Sequence, residues 1–349
     1  MKTGTKPLNY YEISSFCRQM ARLFSAGIGP MEALSILKED TTDSYYNNFL
    51  TKMSENLNTG MRFHEALEDS KMFPDYVVSL MRLGEETGRL DTVADSLASY
   101  YEKEDTLRQN IKSAVLYPVI MVGLMLIVVM VVLRFVLPVF QQVFEEMGSS
   151  MSGISGALLQ FGNALSRYSF IINLFLLAML CLILFFALTE KGRGVFRSLL
   201  LKFGPTRALQ EDIACGRFAS GMALSLKSGL RTKESMDLSA DIVGNEEIRT
   251  RIKESAEKVE QGVPLVDAIE EAHLFEHFHL RMLEVSSRTG GTDEVMQEIA
   301  EEYDRRTVRR LSSFLSAIEP TLVIILSVVI GAILLSVIMP LLGVLSDIG

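Results

Sequence analysis

Hydrophobic and polar positions follow two different rules along this chain. In residues 1–114 and 189–317, apolar residues recur at three- and four-residue spacings, as Ile13, Phe16, Met20, Leu23 and Phe24 do, which describes one face of an amphipathic helix. Glycine and proline punctuate the pattern. Gly27 predicts the end of a first helix and Pro30 the first turn of the next; Gly60 and Gly88 predict later stops, and Pro74 another start. Each segment therefore predicts a bundle of about six helices, the last of which runs toward a membrane span. No stretch sustains a two-residue alternation rich in Thr, Val and Tyr, so almost no sheet is expected. Elsewhere charge disappears. Val115–Leu133 and Phe170–Leu188 run for nineteen residues each, and Thr321–Leu345 runs for twenty-five, interrupted only by Pro340. A helix rising about 1.5 Å per residue needs roughly 20 apolar residues to cross the hydrocarbon, so each run predicts a transmembrane helix. The expected class is an all-α membrane protein. It divides into a bundle at 1–114, spans at 115–137, 170–188 and 318–345, an external loop at 138–169, a second bundle at 189–317 and a tail at 346–349.

Basic residues orient these spans. Lys103, Arg108 and Lys112 precede the first; residues 141–169 hold only Arg167; Lys191, Arg193, Arg197, Lys202 and Arg207 follow the second. Arg305, Arg306, Arg309 and Arg310 precede the third, and nothing basic follows it. Positive charge stays on the cytoplasmic side, so the N-terminus and both bundles are expected in the cytoplasm and the C-terminus outside, in the periplasm. Met1 to Phe16 contain no apolar h-region, so no cleavable signal peptide is expected and the first span acts as the insertion signal. Both bundles are mildly acidic with basic residues gathered toward their membrane ends, which suits an anionic inner leaflet.

The chain also repeats itself. A shift of 202 residues places Phe16, Met20, Ala21 and Gly27 on Phe218, Met222, Ala223 and Gly229. The same shift places Gly60 on Gly262, Phe73 on Phe275, Thr87-Gly88 on Thr289-Gly290, Asp91 on Asp293, Tyr101 on Tyr303, Pro118 on Pro320 and Pro138 on Pro340. Matches dominated by Gly and Pro at one offset predict two homologous units, each a bundle feeding a span. The span at 170–188 has no counterpart and returns the chain to the cytoplasm between two parallel units.

Composition and motifs act mainly by exclusion. A net charge of −9 lacks the basic excess that phosphate neutralisation requires, so no nucleic-acid partner is expected. Cys17, Cys181 and Cys215 form no C-x-x-C pair and predict reduced packing cysteines. Gly-Lys never occurs, which removes a Walker A loop, and neither G-x-S-x-G nor H-E-x-x-H is present. His273 and His277, four apart beside His279, offer a metal-ligand spacing on one helix face; the alternative is an ordinary amphipathic surface, and no metal or cofactor is expected. Glu85 and Glu86, with Asp91, offer oxygens to a Ca²⁺ ion, or simply form a solvated acidic turn before the next helix. Arg134 and Glu319 flank spans, where charge sets helix depth or meets a partner. The Arg305–Arg310 cluster is expected to anchor lipid.

At these residues the chain resembles the inner-membrane platform family of type II secretion and type IV pilus machines. Phe16-x-Arg18-Gln19-Met20-Ala21-x-Leu23-x-Ser25-Ala26-Gly27-Ile28 looks like that family's opening helix and glycine turn. Gly84-Glu85-Glu86-Thr87-Gly88-Arg89-Leu90 looks like its acidic Thr-Gly turn, and Ser286-Ser287-Arg288-Thr289-Gly290 like a second copy that has lost its carboxylates. Tyr117-Pro118 and Glu319-Pro320 look like the two places where its helices enter the bilayer. About ten residues precede the first bundle helix, which resembles the shorter members of type IVb pilus systems.

The resemblance implies a non-enzymatic, homo-oligomeric platform that couples a cytoplasmic ATPase to extraction of pilin or pseudopilin subunits, beside other inner-membrane assembly proteins. Glu85, Glu86, Thr87, Gly88, Thr289 and Gly290 are its docking candidates, and Gly27, Gly60, Gly229 and Gly262 its helix-turn glycines. The rival class is a transporter subunit, since repeated halves recur in transporters. Three spans without a mid-membrane charge argue against that rival.

Overall fold

The computed structural model describes residues 7–40, 44–131 and 204–348. Among these residues there are twelve α-helices and no strand. The first six are α1 (Tyr10–Ser25), α2 (Pro30–Asp40), α3 (Ser44–Asn58), α4 (Phe63–Ser70), α5 (Asp75–Thr87) and α6 (Leu90–Val131). The next six are α7 (Gly204–Lys227), α8 (Thr232–Ile242), α9 (Glu246–Glu260), α10 (Leu265–Glu271), α11 (His277–Thr289) and α12 (Thr292–Ile348). The run expected to span at 170–188, the loop at 138–169, Arg134 and Cys181 lie outside the described residues.

Local chemistry sets these boundaries. Asn9 caps α1 reciprocally: the Glu12 N–H donates to Asn9 Oδ1 at 2.9 Å, and the Asn9 N–H donates to Glu12 Oε2 at 2.7 Å. Asn245 accepts from the N–H groups of Glu247 and Ile248 at the start of α9. Proline precedes α5 at Pro74 and α10 at Pro264, and opens α2 at Pro30. A shift of 202 residues carries both ends of α2, α3 and α5 onto those of α8, α9 and α11, and the start of α6 onto that of α12. Left-handed backbone follows the same offset. Gly27 and Gly229 have φ of +80° and +94°, and Gly60 and Gly262 have +94° and +97°. Lys71 and His273 are also paired by the shift, at +53° and +49°, although a residue with a Cβ disfavours that region.

The residues up to Asn110 and those from Ala208 to Arg309 form one compact unit. Its first core gathers Phe16, Phe49 and Phe73, with ring centroids 5.0 to 6.0 Å apart, over Met20, Leu34, Leu50 and Leu67. Each such side chain contributes roughly 1.5–3 kcal/mol on leaving water. The second core is leaner. Phe218 on Phe275 repeats the Phe16–Phe73 contact and Tyr303 joins Phe275, but Arg251 stands where the shift would put Phe49, and its guanidinium donates to the carbonyls of Ala272 and His273. Cys17 and Cys215 are buried, and burial pushes both thiols up to about 12, so neither supplies a thiolate.

Beyond this unit, α6 and α12 continue without interruption into apolar sequence, so the expected boundaries at 114 and 317 fall inside single helices. Both are long and apolar enough to cross a membrane by length and composition. Tyr117 is exposed on α6, where Pro118 sits inside the helix, and Glu319 and Pro320 lie within α12.

Candidate docking site

The acidic turn is built by α5 running into α6. Gly88 has φ +70°, and the N–H groups of Gly88 and Arg89 both donate to the carbonyl of Gly84, which closes the helix end. Gly84 is there for space. A Cβ on it would lie 3.1 Å from both Cβ and Cγ2 of Val93, so a side chain here would require Val93 or the helix to give by a few tenths of an ångström. The shifted position is Ser286, and the second turn differs accordingly: Gly290 keeps positive φ, at +84°, but its ψ is 170° against 22° at Gly88.

The two carboxylates of the turn part company, which corrects the expectation of a paired acidic surface. Glu85 points inward and caps α4. It accepts from the N–H of Phe63 at 2.9 Å and of His64 at 3.1 Å, and its Oε2 lies 2.6 Å from His64 Nδ1. These donors occupy the start of α4, where backbone N–H groups lack helical partners. Burial works against the charge on Glu85, but the Phe63 amide and the two His64 donors outweigh it and hold its carboxyl below the ordinary glutamate range. Glu86, Thr87 and Gly88 are exposed, with the Thr87 hydroxyl donating to the carbonyl of Leu83. Glu86 is the carboxylate that faces solvent. Thr289 and Gly290 are exposed in the second turn, where Arg288 pairs with Glu284 instead of offering a carboxylate.

The structure also places the histidines and the arginine cluster. His273 is not on a helix face with His277: it sits between α10 and α11, whereas His277 opens α11 and His279 is buried against Phe275 and Tyr303. The described residues contain no group of three His, Cys, Asp or Glu placed to hold a metal ion. The arginine cluster is not a free basic patch. Arg306 pairs with Glu276 and stacks on Tyr303, while Arg305 and Arg309 both hold Glu302.

The contact that joins the two bundles was not among the expected sites. Arg217 on α7 holds Glu104 on α6 through both carboxylate oxygens, at 3.0 Å and 2.6 Å. Tyr76, fully buried on α5, donates its hydroxyl to the carbonyl of Gly221 at 3.2 Å, and α8 packs on α5. Leu224 belongs to the first core, with Leu230, Leu238 and Ile242 packed against it. A signal did exist in the offset pairs. Ser15 becomes Arg217 and Glu104 becomes Arg306, so residues at these positions changed chemical class between the halves. Beside this joint a cleft of about 600 Å³ is lined by Tyr100, Lys103, Glu104, Arg217, Glu301 and Asp304. Burial pushes the Asp304 carboxyl up, opposed by Lys103 and reinforced by Glu104.

The family model for the type II secretion system (T2SS), protein F, matches residues 16–138 and again residues 218–340. The type IV pilus assembly protein PilC of Thermus thermophilus is 30% identical over 95% of this chain and 82% of its own length. PilC of Myxococcus xanthus is 27% identical over 94% and 79%. The type II secretion system protein F of Aeromonas hydrophila is 24% identical over 95% and 86%.

Proposed function

Because the chain belongs to the type II secretion system protein F family, we propose that it is the inner-membrane platform of a type IV pilus or type II secretion assembly machine. In this role it is not an enzyme. It passes the motion of a cytoplasmic ATPase to pilin or pseudopilin subunits in the bilayer. One observation carries the mechanical part of the proposal: α6 and α12 each begin inside the bundled unit and continue as a single helix into apolar sequence. A helix continuous from bundle to apolar run ties the bundled unit directly to its apolar segment, with Pro118 in α6 and Pro320 in α12 as the positions where it can bend. Three spans, at 115–137, 170–188 and 318–345, with the N-terminus cytoplasmic and the C-terminus periplasmic, complete the arrangement.

The two bundles are duplicated units in this account. The common offset of the helix ends and of the left-handed positions Gly27 and Gly229, Gly60 and Gly262, and Lys71 and His273 supports that origin. The exposed Glu86-Thr87-Gly88 segment is the docking face for the ATPase, since it combines a solvent-facing carboxylate with a polar connection on a rigid scaffold. Thr289 and Gly290, lacking the carboxylate, take a different or weaker contact. The test is deletion of the gene with complementation by the full chain. Loss of surface fibres or of secreted substrate, restored by the chain, is expected. Normal fibres and secretion with impaired solute uptake would favour the transporter class instead.

A further inference from the structure

The two halves of the bundled unit leave one groove filled and its counterpart empty. In the filled groove, α7 lies against α5 and α6, with Arg217 on Glu104, the Gly221 carbonyl on Tyr76 and Leu224 in the first core. A shift of 202 residues moves that groove to α11 and α12, where Phe278 replaces Tyr76, Met282 replaces Leu80, Glu302 replaces Tyr100 and Arg306 replaces Glu104. Tyr76 is 2% exposed and Phe278 is 70% exposed. Beside Phe278 the structure holds a hollow of about 180 Å³ bordered by Met282, Glu298, Glu302 and Arg306.

The reverse shift identifies the surface that would fill it. Ile213, Arg217, Gly221 and Leu224 of α7 become Tyr11, Ser15, Gln19 and Arg22 of α1, which share one helix face. Tyr11 is 66% exposed, and Gln19 and Arg22 are exposed. Among the described residues of the compact unit, Phe278 and Tyr11 are the most exposed large apolar side chains. Each therefore sits on the face that the intrachain contact assigns to the other.

We propose that a second copy of this chain fills the groove. Helix α1 of one copy lies between α11 and α12 of the next, with Gln19 over Phe278 and Tyr11 toward Glu302 and Arg306. Glu298 borders the groove and Arg22 lies on the entering face, while Glu302 is already held by Arg305 and Arg309, and Arg306 by Glu276. The contact is heterologous: each copy offers α1 and receives on α11–α12, so it propagates through a ring or an arc rather than closing as a two-fold pair. Ser15 faces Arg306 where the intrachain joint has Arg217 on Glu104, so the interchain contact lacks the buried ion pair and is the weaker of the two. The inference rests on the duplicated bundles proposed above.

The experiment uses the full chain in membranes, with Gln19→Cys and Phe278→Cys in a Cys181→Ser background and a short bis-maleimide. Both positions are exposed, and Cys17 and Cys215 are buried, so reaction is confined to the introduced pair. A ladder of cross-linked oligomers is expected from the double variant and monomers from either single variant. Copies bearing one cysteine each, with different tags, should cross-link to one another. A second measurement uses Phe278→Asp, which should lower the oligomer mass by light scattering at unchanged helix content. Monomers alone from a fully labelled double variant, or a product joining Phe278→Cys to a different protein, would overturn the proposal. Normal fibre assembly in the same strain would confine that failure to this interface and leave the platform role standing.

Discussion

Arg217 Nη2 lies 2.6 Å from Glu104 Oε2, and its Nε lies 3.0 Å from both carboxylate oxygens, across 113 residues of chain. The pair is largely shielded from water, with side-chain exposures of 20% and 9%. Burial alone would weaken the charge on Arg217, but Glu104 reverses this and raises its pKa above the ordinary arginine value. A shielded pair of this kind is costly to break by halves. Glu104→Ala should destabilise the bundled unit by about 3 kcal/mol, because it leaves a buried cation without its partner. The double change Glu104→Leu with Arg217→Met should recover most of that loss. Denaturant unfolding of the full chain in detergent, followed by circular dichroism, measures both.

Glu85 and Glu86 are neighbours in sequence with opposite consequences. Glu85→Gln removes a charged cap from α4 and should cost about 1–2 kcal/mol. Glu86→Gln, at an exposed site, should change stability by less than about 0.5 kcal/mol. The sign of the pH effect follows from the direction of the shift. The folded carboxyl of Glu85 lies below its ordinary value, so its contribution is fully present above the unfolded glutamate pKa of about 4.3. That contribution disappears as pH falls through the lower folded value. Wild-type stability should therefore fall more steeply in acid than that of Glu85→Gln, as measured by melting temperature across pH.

Gly84→Ala tests the close approach of α5 and α6. The new methyl would meet Val93 at 3.1 Å, and overpacking of this kind costs about 1–3 kcal/mol. Ser286→Ala at the shifted position already carries a Cβ and should be tolerated within about 1 kcal/mol. Thermal unfolding of the two variants makes the comparison.

Periodicity and helix punctuation carried much of the fold. Gly27, Pro30, Gly60, Pro74 and Gly88 lie within two residues of helix ends because backbone conformation is a local property, written in the residue itself. The site was less legible. Whether Glu85 faces water or the α4 amides depends on where residues 63 and 64 pack, and no local signal carries that. The Arg217–Glu104 joint lies further still from local sequence. It was visible only as a change of class between offset pairs, a signal that gains meaning once the packing is known. His273 and His277 show the converse error, since a four-residue spacing aligns side chains only where one helix spans both.

Topology supplies a prediction independent of the described residues. Alkaline phosphatase fused after Gly349 should be active, and the same reporter fused near Ala256 should not. The basic residues before the first and third apolar runs predict this order. Activity near Ala256 with silence after Gly349 would invert the arrangement and place the bundles outside.

The central claim is that this chain joins a cytoplasmic ATPase to fibre assembly at the membrane. Its most direct measurement is capture of that ATPase on the full-length chain solubilised from its own membranes, comparing the wild type with Glu86→Lys at equal protein level. The account predicts that the ATPase is retained by the wild type and largely lost from Glu86→Lys, with fibre number falling in parallel. An ATPase that never co-purifies with the wild-type chain, while fibres assemble normally, would contradict it.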